Sequence, residues 1–372
     1  WLTPGANNAD FAVQEVKDLV DRGVSNYAIP NLRVEPDSYV NPNEQLWWDD
    51  EHWKEFGHMT DNYPTIADWN KAMNEAGGEG GLYMQASYRS DDYCEQYPGH
   101  MLYNDPNEGP DYTDPDFIAH MEDVYTNIKN SGIRSLFFDY AGQYHGTSGG
   151  YLLDKTGGFE DPYATAVSAY RNIFALPKKF VGPDIRITEN SWEYSGSDLA
   201  IGLIDIQRTI GDNNAFTPEM TRMSSYQWYR HRTTKLLYPD VKVFSDADLD
   251  LRRAEITGTA FFFGKMTIGE SVTRMDDQKI RDIGKSVPFP INGITARPVG
   301  LFESGSDVPV VYDYKFDSDY DDHILLFWNQ TDRAQTINAD LGEDIAFGGI
   351  GLDPEKEYEV WDFWNWNYIG RY

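Results

Sequence analysis

Short apolar runs alternate with amphipathic helical patterns from residue 10 to about residue 285. Apolar side chains recur every three or four residues in the predicted helices, which are 11–20, 69–76, 115–131, 162–175, 224–237 and 251–263. The predicted strands are 26–29, 81–85, 133–140, 185–189, 203–208, 241–244 and 266–269. This alternation predicts an α/β fold with a mostly parallel sheet.

Seven predicted strands are one fewer than a closed eight-stranded barrel contains. We therefore expect residues 1–293 to form a TIM-type (β/α)8 barrel whose first strand is missing from this chain. The chain opens at Trp1 without a methionine or a signal-peptide pattern, which indicates a mature or excised piece. An open doubly wound sheet is the alternative, but the sequence has no glycine-rich phosphate loop to support it.

The pattern of hydrophobic and polar positions changes after about residue 295. Extended runs without a helical period follow, at 310–316, 323–329, 334–341 and 358–363. Turn-rich loops separate them, so we expect residues 294–372 to form an antiparallel β-sandwich. The acidic loop 317–322 offers calcium ligands but lacks the glycine and terminal glutamate of a calcium loop, which favours a solvated hairpin tip.

The charge and the cysteine count exclude several kinds of partner. The formal net charge of −30 argues against binding to nucleic acid, because phosphates repel such a surface. The sequence contains no run of about 18 apolar residues, so we expect no membrane-embedded role. Cys94 is the single cysteine, which rules out a disulfide within the chain and a metal cluster ligated by several cysteines.

The aromatic content of 15%, with 11 Trp and 25 Tyr, suits sugar binding, since sugar C–H faces stack on flat rings. For any single ring, packing in the core or at a subunit contact is the favoured explanation. We expect an oligosaccharide or polysaccharide partner and a secreted or periplasmic location, in a bacterium. The sequence does not indicate an oligomeric state.

Ionisable residues lie at or just after the ends of four successive predicted strands: Asp139, Glu189, Arg208 with Asp212, and Asp246 with Asp248. In a barrel these strand ends meet at one rim, where active sites are built. Ion pairs explain any one of these residues, but the four together predict a site. Two carboxyl groups across one anomeric carbon are what glycoside hydrolysis needs.

Metal and serine-nucleophile sites are not predicted. His52 and His58 are six residues apart, which does not match the helical spacing of a zinc-binding pair. The sequence contains no Gly-x-Ser-x-Gly segment to mark a serine nucleophile. We therefore expect neither a metal nor another cofactor.

At these residues the chain resembles glycoside hydrolase family 27, the α-galactosidases, and their wider clan. Five segments carry the resemblance, in the family's order: Gly81-Leu-Tyr83, Leu136-Phe-Phe-Asp139-Tyr, Thr188-Glu189-Asn-Ser-Trp192, Arg208-Thr-Ile-Gly-Asp212 and Phe244-Ser-Asp-Ala-Asp248. Segments 326–330 and 360–362 are similar to parts of the family's C-terminal sandwich.

The resemblance implies a retaining glycoside hydrolase that acts on an α-linked sugar by double displacement. It implies that Asp139 is the nucleophile and Asp212 the acid/base. The expected substrate contacts are Arg208, Glu189, Tyr83, Asn31, Trp192 and Asp248, with Phe137 as an apolar wall.

Two departures from the family indicate a changed sugar. Ile29-Pro30-Asn31 stands where the family has an Asp-Asp pair that grips galactose hydroxyls, and Phe137 stands where it has a lysine. We therefore expect a modified galactose or another α-glycoside. A carbohydrate-binding protein on a decayed glycosidase barrel is the alternative, and transglycosylation in place of hydrolysis is a third.

Overall fold

The structure is a computed structural model, and its centre is a six-stranded parallel sheet. It describes residues 8–26, 29–34, 54, 57–85, 91–144, 150–190, 197–210, 217–263, 266–287, 296–302, 308–316, 319 and 321–372. The strands lie side by side in chain order: β1 (Asn31–Val34), β2 (Glu79–Gln85), β3 (Ser135–Asp139), β4 (Arg186–Glu189), β5 (Ile206–Arg208) and β6 (Leu236–Tyr238). A short antiparallel ladder, Gln143–Tyr144 with Gly150–Tyr151, follows β3.

Helices alternate with these strands, as the sequence pattern predicts. They are α1 (Ala9–Asp21), α2 (Ile66–Glu75), α3 (Asp91–Gln96), α4 (Pro115–Asn130), α5 (Ala166–Phe180), α6 (Pro218–Gln227), α7 (Leu249–Phe262) and α8 (Asp277–Lys285). Most begin at a side chain that accepts a hydrogen bond from the first turn, such as Thr65, Asp114 or Thr165. Such caps satisfy amides that have no partner within the helix, which fixes where each helix starts.

The two faces of the sheet have different surroundings. Leu82 and Phe138 belong to the large core between the sheet and the helices. Tyr83, Phe137 and Tyr238 form a separate cluster on the opposite side, which we call the inner face. Successive side chains of a strand alternate in direction, and paired residues of neighbouring strands share a face. The strand registers therefore assign each sheet residue to the inner face or to the helix layer.

Two predicted elements of the sheet lie elsewhere. The strand predicted at 26–29 forms at Asn31–Val34, after Pro30, because a proline is tolerated where a strand begins. The helix predicted at 224–237 ends at Gln227, and its last residues form β6 instead. Short apolar runs such as 236–238 suit a helix or a strand equally, and pairing with β5 decides between them here. In the predicted strand 241–244, Lys242 makes one parallel bridge with Ile268.

The C-terminal segment contains antiparallel sheets, as predicted. Its strands are β7 (Arg297–Pro298), β8 (Val311–Lys315), β9 (His323–Phe327), β10 (Glu359–Asp362) and β11 (Asn367–Arg371). Strand β8 pairs with β7 and β9, and β10 pairs with β11. The predicted strand 334–341 does not form, and the proposed boundary at 293/294 lies outside the described residues. The ring of Phe262 in α7 lies 4.7 Å from that of Tyr312, so this segment packs on the helix layer.

The turn before β6 makes folding stability depend on pH. His231 is buried and its Nδ1 accepts a hydrogen bond from the amide of Leu237 at 3.0 Å. Burial, with the charge of Arg232, lowers the pKa of His231 to about 4. The unfolded chain has the ordinary histidine pKa of about 6.5, so it binds a proton first as the pH falls. We expect His231 to withdraw about 3 kcal/mol of stability between pH 6.5 and pH 4.

Urea unfolding of the wild type and of His231→Asn at several pH values checks this. Asparagine can accept the same hydrogen bond without titrating, so its stability should fall less steeply over that window. Equal slopes for the two proteins would contradict the assignment.

Candidate active site

Asp139 ends β3 on the inner face, and both of its carboxylate oxygens are held. The Tyr83 hydroxyl donates to Oδ2 at 2.9 Å, and the amide of Tyr140 donates to Oδ1 at 2.9 Å. Tyr140 has φ of 50°, a left-handed conformation that is rare for a residue with a side chain. Such strain is concentrated at functional sites. The turn after β3 therefore aims the carboxylate in one direction.

An aromatic cluster lies beneath this carboxylate. The ring of Phe137 stacks on Tyr83 with centroids 5.8 Å apart, and it meets the edge of Tyr238 at 6.1 Å. The guanidinium of Arg33 lies 3.4 Å from the centre of the Phe137 ring, so the face of the ring attracts this cation. Phe137 is 4% exposed, so it supports the site from within rather than forming an open wall.

The buried Arg208 forms an ion pair with the partly buried Asp240 beside this cluster. The Nη1 atom of Arg208 lies 3.4 Å from Oδ2 of Asp240. The register of β5 and β6 places Arg208 beside Tyr238, so its side chain belongs to the inner face. Asp240 has φ of 70°, which is a second left-handed residue at this rim. The predicted sugar-binding arginine thus has a carboxylate partner that the sequence motifs do not include.

Tyr238 lies among the charged side chains of this site. Its hydroxyl donates a hydrogen bond to Oδ1 of Asn190. Burial raises the pKa of Tyr238 well above its ordinary value, and the charges of Asp240 and Asp139 raise it further against the opposing effect of Arg33 and Arg208. The phenol therefore stays neutral, with two carboxylates and two guanidiniums within electrostatic reach.

Glu189 faces the helices rather than the inner face. Its register partner on β3 is Phe138, whose ring packs 5.5 Å from Phe174 of α5. The pKa of Tyr170, also on α5, is raised by burial and by the charge of Glu189. Asn190, the next residue, turns inward to Tyr238. Side chains alternate along a strand, so only one of Glu189 and Asn190 can share the face of Asp139. The register between β3 and β4 is needed to decide which of the two it is.

The structure does not bring Asn31 and Asp248 to this site. Asn31 pairs with Glu79, so it lies at the amino end of β1, opposite to the rim. The sequence pattern predicts a strand that ends before Pro30, whereas the observed strand begins at Asn31. Asp248 caps α7 by accepting hydrogen bonds from the amides of residues 250 and 251.

Two predicted site residues, Asp212 and Trp192, lie outside the described residues. Asp246, named at the same rim, forms an ion pair with the buried Lys279 at 2.9 Å. Within the described ranges, no group of three or more histidine, cysteine, aspartate or glutamate side chains is placed to hold a metal ion. No helix in that part of the chain is both long enough and apolar enough to cross a membrane.

None of the protein-family models matches the sequence, and none of the curated proteins does. Solved structures match the fold over nearly the whole chain. The family 27 β-L-arabinopyranosidase of Geobacillus stearothermophilus has a TM-score of 0.69 and 10% identity, over 98% of this chain and 89% of that one. The α-galactosidase I of Mortierella vinacea has a TM-score of 0.61 and 11% identity, over 98% and 88%.

A third match is the isomaltodextranase of Arthrobacter globiformis T6 in complex with panose, with a TM-score of 0.65 and 11% identity. It covers 99% of this chain and 66% of that one. At these identities the likeness defines the fold and not the reaction. The chain has the α-galactosidase-like fold of the family 27 glycosidases.

Proposed function

We propose that this protein is a retaining glycoside hydrolase that cleaves an α-linked sugar by double displacement. The observation that carries the proposal is the carboxylate of Asp139, aimed from a strand end by the Tyr83 hydroxyl and the Tyr140 amide. A carboxylate at the carboxyl end of a parallel strand is where this fold builds its chemistry. The glycosidase folds of the structural neighbours support the same reaction class.

In the first step Asp139 attacks the anomeric carbon and the bond to the leaving oxygen breaks. Asp212, assigned from the Arg208-Thr-Ile-Gly-Asp212 segment, donates the proton that the leaving oxygen needs. In the second step Asp212 takes a proton from water, which attacks the same carbon and releases Asp139. A crystal structure should place the two carboxyl groups about 5–5.5 Å apart, and about 7–9 Å would exclude retention.

The described side chains supply the surroundings of this reaction. Asp240 holds the guanidinium of Arg208 toward the inner face, where it can grip sugar hydroxyls. The buried cluster of Tyr83, Phe137 and Tyr238 keeps water away from below the carboxylate. We propose a modified galactose or another α-glycoside as the sugar.

A substrate panel tests the proposed reaction. Aryl glycosides of α-D-galactose, β-L-arabinopyranose and α-D-glucose should be compared with natural α-linked oligosaccharides. Proton NMR of the first product should show the anomer that the substrate had. Release of the opposite anomer would exclude double displacement. Binding to a polysaccharide column with no turnover of any substrate would identify a binding protein instead.

Asp240→Asn is expected to lower kcat/KM by about 10- to 100-fold, because an amide does not balance the charge of Arg208. The matched control is Asp248→Asn, at the cap of α7, where asparagine caps as well as aspartate. That control should change kcat/KM less than about twofold. An equal loss in both variants would indicate that Asp248 contacts the substrate, as the sequence predicts.

We also propose that the parallel sheet belongs to a (β/α)8 barrel. The bridge between Lys242 and Ile268 extends the parallel pairing beyond β6. Glu15 of α1 accepts hydrogen bonds from Ser271 and Val272, which joins the start of the described chain to the segment after that bridge. Export from the cell, and degradation of a polysaccharide there, stay predictions.

A further inference from the structure

Gln85 forms a chain of hydrogen bonds with the two residues described above. Its Nε2 atom donates to the Tyr83 hydroxyl at 3.1 Å, and that hydroxyl donates to Asp139 at 2.9 Å. Gln85 and Tyr83 are two residues apart on β2, so both point to the inner face. Gln85 also pairs in register with Asp139 and is 4% exposed. The three polar groups are therefore held together by neighbouring strands.

The number of protons available to these three groups fixes which group donates each hydrogen bond and which accepts it. An ionised carboxylate only accepts hydrogen bonds, and a tyrosine hydroxyl has one proton to give. If Tyr83 gives that proton to Asp139, its hydroxyl oxygen is left to accept, and Gln85 must present its NH2 group. The opposite orientation of the amide would present an oxygen that competes with Asp139 for the proton of Tyr83.

We propose that Gln85 is a positioning residue, which keeps the Tyr83 hydroxyl a donor to the nucleophile Asp139. The proposal rests on the proposed function and adds a residue that lies outside the sequence motifs. The ring of Tyr83 is already fixed by its stack on Phe137. With the ring fixed, the O–H bond of Tyr83 can still rotate, and the hydrogen bond from Gln85 fixes that rotation.

Two substitutions of Gln85 should differ in a way that packing alone does not explain. Gln85→Met keeps the shape and removes the donor, and we expect kcat/KM to fall about 3- to 10-fold. Gln85→Glu presents only acceptor oxygens when ionised, so it draws the Tyr83 proton away from Asp139 and adds a like charge. We expect kcat/KM to fall about 100-fold, with the acid limb of its pH profile moved to higher pH.

A double-mutant cycle separates a residue that acts through Tyr83 from one that acts alone. Tyr83→Phe removes the hydroxyl and should lower kcat/KM about 10- to 100-fold. In that background Gln85→Met should add less than about a twofold loss. Gln207→Met is the structural control, since Gln207 is also buried but shares the helix-facing side of the sheet with Glu189. It should leave the pH profile unchanged.

A loss from Gln85→Met that is as large in the Tyr83→Phe background as in the wild type would overturn the proposal. The same holds if Gln85→Glu lowers activity without moving the acid limb, or if Gln207→Met moves it equally. In each of these cases the wild type still turns over substrate, so the proposed function stands. A wild type without glycosidase activity overturns the proposed function and this inference together.

Discussion

Replacing Asp139 with alanine is expected to lower kcat/KM by on the order of 10⁴-fold or more, with the fold intact. The carboxylate forms the glycosyl-enzyme in the proposed mechanism, so its removal abolishes the first step. Asp139 is only partly buried, at the end of its strand. Its loss should therefore leave unfolding by heat or urea nearly unchanged.

Azide makes this experiment specific to the nucleophile. In Asp139→Ala, azide can enter the space of the lost carboxylate and attack the anomeric carbon from the same side. An activated aryl glycoside should then yield a glycosyl azide of inverted configuration. Asp240→Ala lacks a carboxylate at the same rim and serves as the comparison, since azide should not restore its activity. Undiminished turnover by Asp139→Ala would show that the nucleophile lies elsewhere.

Glu15→Ala is expected to lower the free energy of unfolding by about 3–5 kcal/mol. Glu15 is fully buried in α1, and its carboxylate accepts from the Ser271 hydroxyl, from the Val272 amide at 2.6 Å and from Thr273 at 3.3 Å. Alanine leaves the buried donors of Ser271 and Val272 without this acceptor, which costs their desolvation. The contact joins segments more than 250 residues apart, so its loss loosens the closure of the proposed barrel.

Urea unfolding of Glu15→Ala beside Lys17→Ala measures this effect. Lys17 is exposed on the same helix, and its replacement should change stability by less than about 0.5 kcal/mol. Glu15→Gln keeps one acceptor oxygen and should fall between the two. Equal stability of all three variants would show that the segment after residue 270 is held by other contacts, such as those of Arg22 with Val272 and Met275.

The sequence predicted the sheet most accurately where a strand is both apolar and bounded by turn residues. Strand β3 lies within the predicted run 133–140 and ends at Asp139. The first strand forms at Asn31–Val34, several residues after the predicted run 26–29, because Pro30 precedes the strand rather than ending it. Asn31 therefore lies at the amino end of this strand and not at the rim, where the resemblance predicts it.

By itself the sequence determined the alternation of helices and strands, the end of β3 at Asp139 and the antiparallel character of the C-terminal segment. These follow from local patterns, since burial of one face imposes a period on the chain. Only the tertiary structure decided which way each strand-end residue points. One residue of register separates Glu189, which faces α5, from Asn190, which faces Tyr238. The partners of the site, Gln85, Arg33 and Asp240, are distant in sequence, and only packing between strands brings them to Asp139 and Arg208.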